Sequence, residues 1–158
     1  MPIVKFKSPL LVVSNLEVSK QFYTEILGLR IVMDFGANVT LTGGIALQTK
    51  DSWLSLIGNH EDDLIFGNKV TELYFEEDDF DSFAEKIISN RDVALVHPVK
   101  EHNWGQRVIR FYDPDKHIIE VGENLKSVCF RFLKSGLTKK EIAVRMDVPL
   151  KLVERLLR

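Results

Sequence analysis

One order of secondary structure occurs twice in this sequence: a short strand, an amphipathic helix and three more strands. The first copy begins with the apolar run Leu10–Val13, which is typical of a buried strand. In the helix that follows, Ser14 and Glu17 fit a capping box, and Gly28 suits its C-terminal end. The apolar face of this helix is predicted to comprise Val18, Phe22 and Ile26. The three strands after it are predicted at residues 31–35, 39–42 and 45–49.

The second copy repeats this order of elements. Its first strand is predicted at residues 71–76, and its helix begins at Asp78 and Asp79. Its last three strands are predicted at residues 93–96, 108–112 and 117–121. A helix over residues 51–57 and the polar stretch 58–68 join the two copies. The sequence therefore predicts an α+β fold built from two βαβββ units.

The stretch 105–121 carries the most specific motif. It is typical of two alternating strands joined by a tight turn, Asp113-Pro114-Asp115, with Glu120 inside the second strand. A carboxylate in an apolar strand is costly unless it faces water, a partner or a ligand. Together with Phe22-Tyr23 and Leu27-Gly28-Leu29 upstream, this stretch resembles the glyoxalase/bleomycin resistance/dioxygenase group, the vicinal oxygen chelate (VOC) superfamily.

The resemblance covers residues 8 to about 124. It implies that the two units form one cupped, eight-stranded mixed sheet. We therefore expect a glyoxalase-like domain over residues 1–124 and a helical extension over residues 125–158.

The resemblance also implies a metal site with one ligand from the first and one from the fourth strand of each unit. The matching positions are Ser8, where metal-binding members usually have His, Gln48, Glu72 and Glu120. Oxygen donors of this kind suit a divalent cation such as magnesium or manganese, and nickel is a further candidate. Without imidazole they serve iron and zinc poorly and lack the two-His-one-carboxylate triad of an extradiol dioxygenase. We exclude that activity and expect a degenerate metal site, as in bleomycin-resistance relatives.

Residues of the second half predict a ligand-binding face. Strand alternation places Tyr74 and Glu76 beside Glu72, and places Arg110 beside Tyr112. Trp104 precedes a glycine in a loop that borders the cleft in relatives, where an aromatic ring can stack on a ligand. The predicted substrate-binding residues are Trp104, Arg110, Tyr112, Tyr74 and Glu76, and the predicted catalytic residues are Glu72 and Glu120.

Three functions remain open, because the family spans many activities. The first is a protein that binds a cationic or hydrogen-bond-donating small molecule in an acidic, aromatic-rimmed cleft without a working metal site. The second is a metal-dependent lyase or isomerase of the lactoylglutathione-lyase type, in which Glu72 or Glu120 would move a proton. The third is a ligand sensor with a DNA-binding tail. We favour the first and expect a homodimer, since pairing covers exposed sheet edges.

The charge of the chain is divided unevenly. Residues 1–125 hold 12 basic and 20 acidic side chains, whereas residues 126–158 hold nine and three. Helical spacing in this basic tail, at residues 125–134, 138–146 and 150–157, resembles a helix-turn-helix. Arg145, Lys151 and Arg155 would then contact phosphates. We expect instead that the tail packs against the sheet module or across the dimer, with Ile142, Met146, Val153 and Leu156 as core residues, so no nucleic-acid partner is predicted.

Two absences in the sequence predict the compartment. No apolar run is long enough for a signal peptide core or a membrane span, so no membrane partner is expected. Cys129 is the single cysteine, which excludes an intrachain disulfide and a thiolate zinc cluster. These features predict a cytoplasmic protein.

Overall fold

The fold of the chain, in a computed structural model, is described for residues 1–58 and 60–158. These residues form two compact units. The first comprises residues 1–68 and 113–116, and the second comprises residues 69–112 and 117–158. The joining stretch 58–68 includes Asn59, which lies outside the described residues. Within the described part of the chain, no helix has the length and apolar character needed to span a bilayer.

The first unit holds a four-stranded sheet and two helices. Its elements are β1 (Leu10–Val13), α1 (Leu16–Glu25), β2 (Ile31–Asp34), β3 (Asn38–Leu41), β4 (Ala46–Thr49) and α2 (Lys50–Ile57), followed by a short 3₁₀ turn at Glu61–Asp63. The strands lie in the order β1-β4-β3-β2, with β1 parallel to β4 and the other pairs antiparallel.

The second unit repeats this arrangement. Its elements are β5 (Glu72–Glu77), α3 (Phe80–Ser89), β6 (Leu95–Glu101), β7 (Arg107–Tyr112) and β8 (Ile118–Glu123). The order is β5-β8-β7-β6, again with one parallel pair, β5 and β8. The two identical sheet topologies confirm the α+β class and the two βαβββ units. The β6 strand runs further than predicted, because it pairs with β7 as far as Glu101.

The start and the buried face of α1 differ from the prediction. Asn15 caps the helix by accepting a hydrogen bond from the Val18 amide, whereas the Ser14 amide donates to the Asp115 carboxylate at 3.0 Å. Val18 is 46% exposed, and the buried positions are Ser19 and Tyr23. Tyr23 can be buried because its hydroxyl donates a hydrogen bond to the buried Asp113 carboxylate at 2.8 Å. A polar partner distant in sequence therefore overrides the apolar pattern.

The two faces of the second sheet have opposite character. Ile109, Phe111, Ile119 and Val121 are buried, and the Phe111 ring packs against Phe83 of α3 at 6.2 Å between centroids. Alternation along the strands sends the neighbouring residues to the other face. We call this the polar face, and it carries Glu72, Tyr74, Arg110 and Glu120.

The basic tail forms three helices, α4 (Leu125–Lys134), α5 (Lys139–Met146) and α6 (Leu150–Leu156). A capping box between Thr138 and Glu141 starts α5, and Asp147 ends it in the left-handed conformation at φ +55°. The helices share a core of their own, which comprises Val128, Cys129, Phe132, Ile142, Ala143, Met146 and Val153, with Leu156 packed against it. Four of these residues are the ones that the sequence predicts to pack: Ile142, Met146, Val153 and Leu156.

One close contact joins the tail to the turn between β6 and β7. Gly105 has φ +87°, and a Cβ placed on it would clash with the Phe132 ring of α4. Only a residue without a side chain allows the aromatic ring of the tail to lie on this backbone.

A pair of glycine substitutions tests this contact. Gly36 has a similar φ of +81° but open space around its Cα, so Gly36→Ala measures the backbone strain alone. We expect Gly105→Ala to lower the free energy of unfolding by about 1–3 kcal/mol more than Gly36→Ala does, because it adds an overpacking cost. Urea denaturation of both variants measures the difference. Equal losses would mean that Phe132 does not rest on Gly105.

Candidate functional site

A row of polar side chains crosses the four strands of the second sheet on its polar face. Arg110 of β7 pairs directly with Glu120 of β8, and Glu120 pairs with Tyr74 of β5. On the other side of Arg110, His97 of β6 is its partner in the ladder. Residues paired across neighbouring strands point to the same side of a sheet and lie close enough to interact. The ladder therefore brings these four side chains together.

Arg110 is the centre of this row. Its Nε donates to Glu72 Oε2 at 2.9 Å, and its Nη2 donates to Glu120 Oε2. Its Nη1 lies 3.2 Å from His97 Nε2, and His97 Nδ1 lies 2.7 Å from the Pro98 carbonyl oxygen. Because a carbonyl can only accept, Nδ1 carries the proton and Nε2 accepts from Arg110. The guanidinium thus binds two carboxylates and an imidazole at once.

The two carboxyl groups titrate differently although they share Arg110. Burial, followed by the hydrogen bond with Glu72, raises the pKa of Glu120 to about 7, against the opposing effect of Arg110. Burial also disfavours ionisation of Glu72, but the hydrogen bonds from Arg110 and Glu120 outweigh it and lower the pKa of Glu72. Below about pH 7 the pair therefore shares a proton that resides mainly on Glu120.

A second network links Trp104 to Glu76 through a residue that the sequence analysis missed. Trp104 Nε1 donates to Gln106 Oε1 at 3.0 Å, and Gln106 Nε2 donates to the Tyr74 hydroxyl at 2.8 Å. The Tyr74 hydroxyl donates to Glu76 Oε1 at 2.9 Å. Burial is the main reason that the pKa of Tyr74 rises to about 12, so it remains a donor. Counting back from Arg110 by twos reaches Gln106, which is the signal that could have found it.

Two histidines that are not among the predicted site residues lie beside these networks. The His102 ring stacks on Trp104 at 4.3 Å between centroids. Burial, and then the positive charge of Arg110, lower the pKa of His102, which keeps the ring neutral near pH 7. His97 supports Arg110 as described. Trp104 is 40% exposed and Tyr74 is 49% exposed, so both residues offer surface to a ligand.

The remaining predicted positions are Tyr112 in the second unit and Gln48 and Ser8 in the first. Tyr112 is half-buried at the end of β7, on the same strand face as Arg110. Gln48 belongs to β4 of the first unit, where its amide accepts from Asn38 at 2.7 Å and donates to Ser52. Ser8 precedes β1.

The strand registers also revise one internal equivalence. Gln48 pairs with Val12, as Glu120 pairs with Tyr74, so aligning Gln48 with Glu120 aligns Glu72 with Leu10. Residue spacing alone instead aligns Glu72 with Ser8, which lies two residues before Leu10. The position in the first unit that corresponds to Glu72 is therefore occupied by an apolar side chain.

Comparison with known proteins supports the fold. The model of the glyoxalase-like domain family matches residues 6–126. A protein of unknown function from Agrobacterium tumefaciens str. C58 is 39% identical, with a TM-score of 0.70, over 78% of this chain and 97% of that one. A glyoxalase-related enzyme from Fulvimarina pelagi is 18% identical, with a TM-score of 0.63, over 78% and 90%. A lactoylglutathione lyase from Agrobacterium tumefaciens is 18% identical, with a TM-score of 0.54, over 78% and 96%. Comparison with curated proteins gives no match.

The fold and the domain match define the class of this protein. Two βαβββ units and a family match over residues 6–126 place it in the VOC superfamily. The chain belongs to the glyoxalase-like domain family. The two structures that are 18% identical share its fold, which does not transfer their activity.

The carboxyl pair makes a prediction for pH dependence. We expect Glu120 to titrate near pH 7, and Glu72→Gln to lower its pKa, because the substitution removes a like charge and a proton acceptor. Carbon-13 NMR of the side-chain carboxyl groups measures both. Glu85→Gln, on the exposed surface of α3, is the matched control and should leave the midpoint unchanged. A Glu120 midpoint near 4.5 would contradict the shared proton.

The same shift has a consequence for stability. The pKa of Glu120 is higher in the folded protein than in the unfolded chain, so protonated Glu120 stabilises the fold. This contribution to the free energy of unfolding is complete below pH 4.5 and is lost as the pH rises through about 7. The free energy of unfolding should therefore decrease between these values, and Glu120→Gln should remove that part of the decrease.

Proposed function

We propose that this chain binds a small molecule on the polar face of its second sheet without a metal ion. The observation that carries the proposal is the position of Arg110, whose guanidinium hydrogen-bonds to both Glu72 and Glu120. These are two of the positions at which the resemblance expects metal ligands. A fixed cation between two carboxylates satisfies the charges that a divalent ion would otherwise neutralise.

The donor set supports a degenerate metal site. Glu72 and Glu120 are engaged by Arg110, and the Gln48 amide is engaged by Asn38 and Ser52. Leu10 occupies the position that corresponds to Glu72. Among residues 1–58 and 60–158, no group of three or more His, Cys, Asp or Glu side chains is arranged to hold a metal ion. The residues present do not fit the metal that the family implies.

The second network supports a class of ligand. Trp104 and Tyr74 offer half-exposed rings, and Tyr74 donates to only one oxygen of the exposed Glu76 carboxylate. The other oxygen of Glu76 can accept from a ligand. A planar group that stacks on an aromatic ring and presents N–H donors, preferably with a positive charge, would satisfy both surfaces.

A matched pair of small aromatic ions tests this proposal. Benzamidinium and benzoate have similar size and shape but opposite charge. We expect benzamidinium to raise the melting temperature in a thermal-shift titration, and benzoate to leave it unchanged, because Glu76 accepts hydrogen bonds and repels anions. Glu76→Gln should weaken the apparent affinity for benzamidinium by about tenfold, in line with the loss of a charged hydrogen bond.

The control for this experiment is Glu85→Gln, which removes the same charge from the α3 surface and should retain full binding. Stabilisation by benzoate alone, or an equal response in wild type and Glu76→Gln, would reject the proposed ligand class.

A second function is favoured by the titration of Glu120. A carboxyl group with a pKa near 7 is suited to accept or release a proton at neutral pH. Glu120, with Glu72 as its proton-sharing partner, would then act as the acid–base group of a lyase or isomerase. Turnover abolished by Glu120→Gln with ligand binding retained would identify this role.

The third function, a ligand sensor with a DNA-binding tail, stays an alternative that we do not favour. Arg145, one of its candidate phosphate contacts, instead contacts Glu101 and the Asn103 carbonyl.

We also propose that the chain forms a homodimer through exposed sheet edges. β2 is an edge strand of the first sheet, and its surroundings expose Ile31, Val32, Met33 and Phe35. Unpaired edges with apolar side chains favour association with a second copy. Light scattering coupled to size-exclusion chromatography should give twice the chain mass at micromolar concentration; a monomer mass would exclude the dimer.

A further inference from the structure

The helical tail lies outside the region that the family model matches, which ends at residue 126. It nevertheless contacts the turn that carries Trp104. That turn joins β6 to β7 and is closed by two backbone hydrogen bonds, from the His102 amide to the Gln106 carbonyl and from the Gly105 amide to the His102 carbonyl, each 2.8 Å long.

Two arginines of the tail hold the peptide carbonyls on either side of Trp104. Arg145 of α5 donates through Nη1 to the Asn103 carbonyl, and Arg131 of α4 donates through Nη2 to the Gly105 carbonyl at 2.5 Å. Main-chain carbonyls that accept from a guanidinium are fixed more firmly than those that face water. The residue between these two anchors is the one whose ring faces the ligand site.

Both arginines are themselves held in place. Arg131 Nη2 donates to the buried Glu123 at 3.0 Å, and Arg145 Nη2 lies 3.6 Å from the Glu101 carboxylate. Both guanidinium groups lie over the Phe132 ring, that of Arg131 at 5.1 Å and that of Arg145 at 5.3 Å from its centroid. Burial opposes ionisation of Glu123, but the hydrogen bonds from Arg131 and Arg107 outweigh it and lower its pKa, so this anchor stays charged.

We infer that the tail acts as a clamp on the ligand site, with Arg131 and Arg145 as positioning residues for Trp104. The inference rests on the proposed function, because the residue that the clamp positions belongs to the proposed ligand site. From the clamped turn, Trp104 Nε1 holds Gln106, and Gln106 orients Tyr74 toward Glu76. Without the two arginines, the Trp104 ring and the hydrogen bonds that link it to Gln106 and Tyr74 would be less ordered.

Hydrogen exchange without any ligand tests the clamp directly. In Arg145→Ala we expect the His102 and Gly105 amides to exchange about tenfold faster, as the loss of one hydrogen bond to a charged group implies, while amides of β7 and β8 keep their rates. Arg145→Lys should restore part of the protection, because lysine keeps one charged donor. Arg155→Ala, which removes the same charge from α6, should change nothing. Arg131→Lys tests the second anchor without leaving Glu123 unpaired.

Fluorescence reports on the ring itself. In a Trp53→Phe background, the Trp104 emission of Arg145→Ala should be quenched more strongly by acrylamide than that of Arg155→Ala. Unchanged exchange of the turn amides would overturn the clamp. A lower melting temperature together with uniformly faster exchange would also overturn it, because that result indicates a role in overall stability.

A ligand arm separates this inference from the proposed function. If wild type responds to benzamidinium, Arg145→Ala should show a several-fold weaker response, in line with the cost of a less ordered site. A full response despite faster exchange would overturn the positioning role. If wild type does not respond, the proposed ligand class fails, and the exchange and quenching measurements still decide whether the tail holds the turn.

Discussion

The pairing of Arg110 with Glu120 is the interaction on which the polar face depends. Glu120 is 5% exposed, and an isolated carboxylate in such a place would cost several kcal/mol. Two features reduce that cost: the guanidinium that lies opposite in the ladder, and the proton that Glu120 shares with Glu72. Because both depend on the register of β5, β7 and β8, a shift of one residue would leave buried charges without partners.

The Arg110 cluster is also the reason that we expect this chain to have the fold of its family without the metal chemistry. The same sheet that could bring metal ligands together instead places an internal cation between them. What remains available to a ligand is the neighbouring network of Trp104, Gln106, Tyr74 and Glu76, which ends in a carboxylate oxygen facing outward. The tail contacts the turn that carries Trp104, through the carbonyls on either side of that residue. We therefore propose that ligand binding depends on hydrogen bonds and ring stacking rather than on metal coordination.

Much of the fold follows from the sequence because periodicity and turn residues act locally. The alternating strands, the Asp113–Asp115 turn and the three tail helices lie within one or two residues of their predicted bounds, apart from the longer β6. The buried face of α1 could not be predicted, since Tyr23 is buried by a hydrogen bond to Asp113, 90 residues away.

The candidate site was predicted as a set of residues rather than as a set of contacts. Glu72, Tyr74 and Glu76 share a face as alternation requires. That Arg110 binds the two carboxylates, instead of a ligand, depends on the register of three strands and on side-chain rotamers. The position of Ser8 was matched by counting residues, whereas strand pairing aligns Leu10 with Glu72, because sequence spacing does not reveal where a strand begins.

The most direct test of this account is the manganese content of the purified protein. The chain is equilibrated with excess manganese, passed through a desalting column and analysed for metal per chain, with nickel and magnesium measured in the same way. If Arg110 occupies the place of a divalent cation, the protein should retain far less than one equivalent of each metal. One equivalent of tightly held metal in the wild-type protein would contradict the account, and would show that the carboxylates release Arg110 to bind the ion.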